Sequence, residues 1–286
     1  MSLVPCTLSL SKEEYMRLGC NFWCFSRDFR AGKINQIQWI EKCAKEFHLD
    51  GVEILDYGFP AEELVNKLPK EAYLKKLKKL CADLQLDIYM VSAANNFGQS
   101  DEKKLREEID YVKAWIDVGF YLGAPLVRCF SGHPDKKGDF EGGWKPFITA
   151  MKECVKHAES KGIVMALENH GGETGLVYSS VQVLRMLKEV NSPWLKLCLD
   201  TGNFNDLYTS IEKTAHLAPV VHAKTYDIAS GVEKKLDYEK IFKIMTGVKF
   251  NGFYSIEYEG ENPDQNLCVG NSVKYLREMF AKYPIQ

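Results

Sequence analysis

The sequence predicts an α/β fold, a single closed (β/α)8 barrel. Three observations carry that expectation. Eight short apolar runs alternate with segments of helical period along the 286 residues. No long Pro/Gly/Ser-rich linker divides them. Each of the last four runs ends in a carboxylate or an imidazole, which is costly in an apolar strand unless the ends meet partners. Alternating strands and helices imply right-handed β-α units and a parallel sheet, and ~250 residues is the usual size of such a barrel. An open doubly wound sheet is the alternative. It usually opens with a glycine-rich phosphate loop, and none follows the first strand.

The elements follow in chain order. Residues 1–19 read as a short extension, in which Ser11 and Glu14 have capping-box spacing and Gly19 serves as a stop for a small helix. The first strand is expected at 20–25 (CNFWCF). Ile34, Ile37, Ile40, Ala44 and Phe47 then recur at helical steps. The second strand is read at 51–56 (GVEILD), followed by a helix over 71–84 in which Leu74, Leu77, Leu80, Cys81 and Leu84 form one stripe with lysines opposite. The third strand is 86–92. After Ser100, Leu105, Ile109, Val112 and Ile116 mark another helix, and the fourth strand is 125–130. Segment 131–146, rich in Gly and charge, is the expected mobile lid. The later strands are IVMALENH (163–170), LKLCLDTGN (195–203), VVHAKTYD (220–227) and FYSIEYEG (253–260). A helix over 179–190 runs into Asn191-Ser192-Pro193, a stop signal.

Composition is that of an ordinary globular protein, 45% apolar and 27% charged, enough to build a large core. A net charge of −2 and a pI near 6.3 provide no broad cationic field, which argues against nucleic acid or an anionic membrane as a main partner. No apolar run approaches the ~20 residues of a membrane span, and the opening residues lack a basic segment followed by an apolar core, so no signal peptide is expected. Nine cysteines (6, 20, 24, 43, 81, 129, 154, 198, 268) occur without a CxxC pair, several inside apolar runs. Reduced, buried thiols and a cytoplasmic location fit that pattern. A homo-oligomer is compatible with these features and not required by them.

The chemistry concentrates at Glu168, Asp200, His222 and Glu257, at matching positions in the last four runs. In a barrel of this kind the C-terminal strand ends carry the active site. Three carboxylates and one imidazole converging there suit a divalent metal, Mn, Co, Mg or Zn. Taken singly, a Glu is equally a rim salt bridge, Asp200-Thr201-Gly202 a turn, and His222 a hydrogen-bonded core residue. Further candidates line the expected mouth. Trp23 and Phe25 could pack on the face of a bound ligand, or be rim aromatics. Glu53 could bind a hydroxyl, or form a structural ion pair. His133, Arg128, His170 and Lys224 could hold a hydroxyl, carboxylate or phosphate, and His170 and Lys224 share strand faces with Glu168 and His222.

The set A-L-E-N-H, L-D-T-G-N, V-H-A-K and S-I-E-Y-E-G resembles the sugar phosphate isomerase/epimerase family. These are xylose isomerase-like TIM barrels, a superfamily that also holds the endonuclease IV-like proteins. The resemblance runs from Gly51-Val52-Glu53-Ile54 to Glu257. It implies one divalent ion, commonly Mn or Co, on Glu168, Asp200, His222 and Glu257. It also implies proton transfer through a metal-stabilised enediolate, with Glu168 and Glu257 as the acid/base pair. The sequence departs from the ketohexose 3-epimerases of that family. Asn203 stands in place of a histidine, Ile228 in place of an arginine, and Thr174, beside Glu173, in place of a glutamate. Asn203 also counts against a trinuclear zinc nuclease, and is itself a candidate substrate contact.

The expectation is therefore a metal-dependent isomerase or epimerase acting on a sugar or sugar phosphate. A lyase or dehydratase working on a keto-sugar or inosose through the same enediolate is the alternative. A non-catalytic sugar-binding barrel and a phosphodiesterase stand further behind.

Overall fold

The computed structural model describes residues 16–285. Eight parallel strands form the barrel: β1 (Arg17–Asn21), β2 (Gly51–Leu55), β3 (Asp87–Ser92), β4 (Leu126–Phe130), β5 (Val164–Glu168), β6 (Leu195–Asp200), β7 (Val220–Thr225) and β8 (Phe253–Tyr258). β1 pairs with both β8 and β2, which closes the sheet and excludes the open doubly wound alternative. Among the described residues eight helices alternate with the strands outside, α1 (Gln36–Lys45), α2 (Glu71–Asp83), α3 (Glu102–Leu122), α4 (Phe140–Ser160), α5 (Ser180–Val190), α6 (Leu207–Thr214), α7 (Tyr238–Gly247) and α8 (Gln265–Lys282), and a five-residue helix, Ser26–Arg30, lies between β1 and α1.

Local chemistry sets the helix ends. α1 opens on a reciprocal capping box between Asn35 and Gln38. Asp101, Asp139 and Ser179 cap α3, α4 and α5 with side-chain oxygens. α3 stops at Gly123 and α5 at Asn191, both left-handed, where a β-carbon is tolerated poorly or only by a short polar side chain.

Side chains alternate along each strand, so the barrel is filled in layers. Tyr89, Met90, Leu126, Ala166, Cys198, Val220 and Phe253 make the apolar plug inside. The second, larger core joins the outward strand faces to the helices. Above the plug the inward positions become polar, with Asn21, Glu53, Ser92, Arg128, Glu168, Asp200, His222, Ser255 and Glu257 all buried. Tyr89 lies across the floor and stacks on Phe253 at 4.1 Å. Gly19 makes room for it, because a methyl group there would lie 2.3 Å from the Tyr89 ring.

Several expectations need correction. The first strand is Arg17–Asn21, three residues earlier than 20–25. Phe22–Phe25 is a 3-10 turn whose Phe22, Cys24 and Phe25 are buried, so an aromatic run that reads as strand is a packed turn at the barrel top. Gly19 is thus a strand residue and not a helix stop. Residues 17–19 belong to the barrel and not to an extension, while the expected capping box at Ser11 and Glu14 lies outside the described residues. The proposed lid 131–146 is cut at Phe140, where α4 begins. A two-stranded hairpin (Leu64–Val65 with Leu68–Pro69) after β2 was not anticipated; Asn66 and Lys67 turn it with positive φ.

Candidate active site

Strand register brings the four expected ligands to one end of the barrel. Asp200 pairs with His222 across β6 and β7, Glu257 with Lys224 across β7 and β8, and Glu168 with Cys198 across β5 and β6. One donor atom from each of Glu168, Asp200, His222 and Glu257 lies within 4.8 Å of the others, and all four residues are buried.

Neighbouring groups aim each ligand. Gly202 N–H donates to Asp200 Oδ1 at 2.7 Å, leaving Oδ2 to face the centre. Asn169 brackets the Asp200 backbone, accepting from its N–H at 2.8 Å and donating to its carbonyl at 3.0 Å. Asn21 Nδ2 donates to Glu257 Oε1 at 3.2 Å, which leaves Oε2. Glu168 Oε2 pairs with Arg128 Nε at 3.2 Å. His222 Nε2 meets Glu53 Oε2 at 3.0 Å, while Nδ1 faces Glu168 and Glu257 at 3.4 and 3.6 Å. A carboxylate behind the imidazole fixes the tautomer that leaves Nδ1 as an electron-pair donor.

Whether this set fits a cation is decided by what is left without a partner. Asp200 Oδ2, His222 Nδ1 and Glu257 Oε2 are buried and lack a hydrogen bond. Buried acceptors without a hydrogen bond are expensive, and these three, two of them beside the Lys224 ammonium, match the donor set of a divalent cation. Oxygen and imidazole donors suit Mn, Co, Mg or Zn. Cys198 lies close enough to group with Glu168 and His222, but burial pushes its thiol up to about 12, so it stays protonated.

The electrostatics agree. Burial would raise the Glu168 carboxyl, yet His222 and Arg128 hold it well below the usual carboxylate range. Burial likewise opposes charge on Glu257, and Lys224 and His222 bring its pKa below the usual value. For Asp200 burial wins over Lys224 and pushes the carboxyl well up. Burial disfavours charge on His222, but the Glu53, Glu168 and Glu257 carboxylates raise its pKa well above that of free imidazole.

The other expected contacts divide. Lys224 reaches the centre, its Nζ 2.9 Å from Asp200 Oδ2 and 3.2 Å from Glu257 Oε2, and Asn203 Oδ1 accepts from it at 3.3 Å. Trp23 stands at the mouth, 36% exposed, its Nε1 donating to Glu259 at 3.0 Å. His170 is exposed and stacks on Phe130 at 4.2 Å, and the Arg128 guanidinium lies 4.1 Å over the same ring.

Glu53 is not placed to bind a substrate hydroxyl. It is fully buried, and both oxygens are taken by Ser92 (2.5 Å), Ser255 (2.7 Å) and His222. His133 is exposed on the loop after β4 and lines a cleft with Asp135, Phe140 and Thr174; no contact joins it to the quartet. Phe25 is core, stacked on Phe47. Ile228 is fully buried in the outer core. Sequence reasoning missed Asn21, which carries no pattern of its own, and Glu259, which shares the Glu257 face and could have been inferred from that parity.

The comparisons agree with the fold. The D-psicose 3-epimerase of Clostridium cellulolyticum H10, solved with D-tagatose, superposes with a TM-score of 0.75 at 15% identity, covering 95% of this chain and 100% of that one. The probable 3-DHS dehydratase AsbF of Bacillus anthracis gives 0.70 at 17% identity, covering 92% and 99%. Among curated proteins, the C-glycoside deglycosidase alpha subunit of Arthrobacter globiformis is 24% identical over 192 residues, 64% of this chain and 47% of that protein. The match thus spans about half the length of that curated relative. The model of the xylose isomerase-like TIM barrel family matches residues 42–279, most of the chain, and with the closed barrel it shows that the protein belongs to that family.

Proposed function

We propose that the protein is a divalent-metal-dependent isomerase or epimerase acting on a sugar or sugar phosphate. The single observation that carries this reading is the convergence of Asp200 Oδ2, His222 Nδ1 and Glu257 Oε2 beside Glu168, buried and without a hydrogen bond, with the Lys224 ammonium 2.9 and 3.2 Å from the two carboxylate oxygens. Glu168, Asp200, His222 and Glu257 would hold the ion, Mn or Co first, with Mg and Zn as alternatives. When bound, the ion supplies Lewis-acid stabilisation of the enediolate formed when a carbon beside a carbonyl loses its proton.

The chain's own groups do the rest. Glu168 and Glu257 come from β5 and β8, on different sides of the barrel axis, so one can take a proton from one face of a carbon while the other returns it to the opposite face. Arg128 keeps Glu168 ionised, the form that can accept a proton. Lys224 and Asn203 orient substrate oxygens, and His170 and Trp23 flank the mouth. The apolar plug below excludes water from the reacting end. Among the described residues eight cysteines are free and buried, which favours a reducing compartment such as the cytoplasm. No helix among the described residues is long and apolar enough to cross a membrane.

Glu168→Gln tests the assignment. Solvent deuterium should stop entering the substrate, with a loss of at least ~100-fold for a lost general base, while the fold persists. Full exchange in that variant would sink the role. The dehydratase and deglycosidase names among the similar proteins favour a second reading, a lyase that expels a group from the same enediolate. A new conjugated carbonyl absorbing in the ultraviolet, across a panel of keto-sugars and inososes, would select it.

A further inference from the structure

Trp23, Glu259 and Lys224 form a chain from the barrel mouth to the cation centre. Lys224 Nζ is 2.9 Å from Asp200 Oδ2, 3.2 Å from Glu257 Oε2 and 3.0 Å from Glu259 Oε2. Only Glu259 lies outside the ligand set. Its other oxygen, Oε1, accepts from Trp23 Nε1 at 3.0 Å. One carboxylate thus holds a buried ammonium with one oxygen and an indole at the mouth with the other. The indole also lies edge-on against Tyr57 at 5.6 Å, with the Arg30 guanidinium 5.9 Å from its ring.

We propose that Glu259 is a positioning residue that couples occupancy of the cation site to the orientation of Trp23, the aromatic wall at the mouth. The coupling rests on the metal-dependent reading and extends it. Charge balance is the physical reason. The two quartet oxygens nearest Lys224, Asp200 Oδ2 and Glu257 Oε2, are those left for a divalent ion. An ion there repels the ammonium and withdraws two of its three carboxylates. Lys224 keeps Glu259 and Asn203 Oδ1. Its stem is confined against Gly202, where a methyl group would lie 2.8 Å from Lys224 Cδ, so the adjustment passes to the exposed end of the chain. Glu259 and Trp23 are both about one-third exposed and free to respond. The wall against which the C–H face of a sugar packs is therefore set by the metal before the sugar arrives.

Tryptophan emission reads this coupling directly. The full chain is titrated with Zn2+, a closed-shell ion that does not quench by paramagnetism, while calorimetry on the same samples measures binding. Trp39, Trp115 and Trp144 are buried away from solvent, and the half-buried Trp194 precedes the N-terminal end of β6, at the far end of that strand from Asp200, which makes Trp23 the responsive indole. Wild type is expected to change its emission up to one zinc per chain. Trp23→Phe should abolish the change with zinc still bound. Glu259→Gln should also abolish it, while zinc affinity falls by less than the ~10-fold or more typical of losing a group that orients a ligand. The wild-type change persisting in either variant overturns the coupling. Zinc bound by wild type with no emission change overturns the coupling and leaves the metal reading intact. No zinc bound by wild type overturns both.

Discussion

Glu53 on β2 and His222 on β7 have β1 and β8 between them in the sheet, yet across the closed barrel the two meet at 3.0 Å. Ser92 and Ser255 hold its carboxylate, and Tyr89 holds Ser255 at 2.6 Å from below. The imidazole is thus supported by four residues from β2, β3 and β8 that never touch the centre. Glu53→Gln keeps the size and most hydrogen bonds but removes the charge behind His222. Metal affinity is expected to fall by ~10–100-fold with the fold retained, as calorimetry with Zn2+ would show. An unchanged Kd would mean that His222 needs no such support. His222 could be read from the sequence because an imidazole ends an apolar run. Its partner could not, because Glu53 in GVEIL looks like any rim acid until the barrel closes. The same holds for Arg128, whose pairing with Glu168 depends on β4–β5 register.

At the scale of elements, seven of the eight strands fall within a few residues of their apolar runs, and α1, α2, α3 and α5 within a few residues of their stripes. Periodicity and caps are local, and so they are legible. β1 was displaced because Cys20 to Phe25 has the composition of a strand, while burial of Phe22, Cys24 and Phe25 under the mouth favours a turn. The α4 start was hidden by the glycines at 142 and 143, which read as loop; a methyl group at Gly143 would lie 2.8 Å from Pro134, so packing requires glycine there.

The α3–α4 pair offers a test at this scale. Arg106 forks onto Glu153 at 2.6 and 2.9 Å, and Lys113 also pairs with it. Hydrogen bonds from Arg106 and Lys113 bring the Glu153 carboxyl down to about 2. The folded value lies below the unfolded ~4.3, so the stabilisation is present above that unfolded value and is lost as pH falls through the folded one. With a third of the side chain exposed, Glu153→Gln should cost only ~0.5–1 kcal/mol at neutral pH. Denaturant melts should show that difference shrinking between pH 5 and pH 2, roughly the interval spanned by the two values. A difference constant with pH would mean that the fork contributes no charge-dependent stability.

For the whole molecule, the barrel divides its interior into an apolar plug and a polar end. The plug fixes strand positions through tight layers such as Gly19 under Tyr89. The polar end gathers buried charges that are costly unless a cation joins them. A bound ion should therefore stabilise the native state by mass action. At 100 times Kd the gain is ~2.7 kcal/mol, worth roughly 5–10 °C in Tm at ~2–4 °C per kcal/mol. Zinc that binds without raising Tm would place it on unfolded as well as native chains.

The most direct measurement is metal content per chain by elemental analysis, after reconstitution with Mn, Co, Mg and Zn, for wild type and His222→Ala. The expected result is one ion per wild-type chain and a markedly weakened hold in His222→Ala. No ion in wild type, or equal retention in the variant, would contradict a cation centre on Glu168, Asp200, His222 and Glu257.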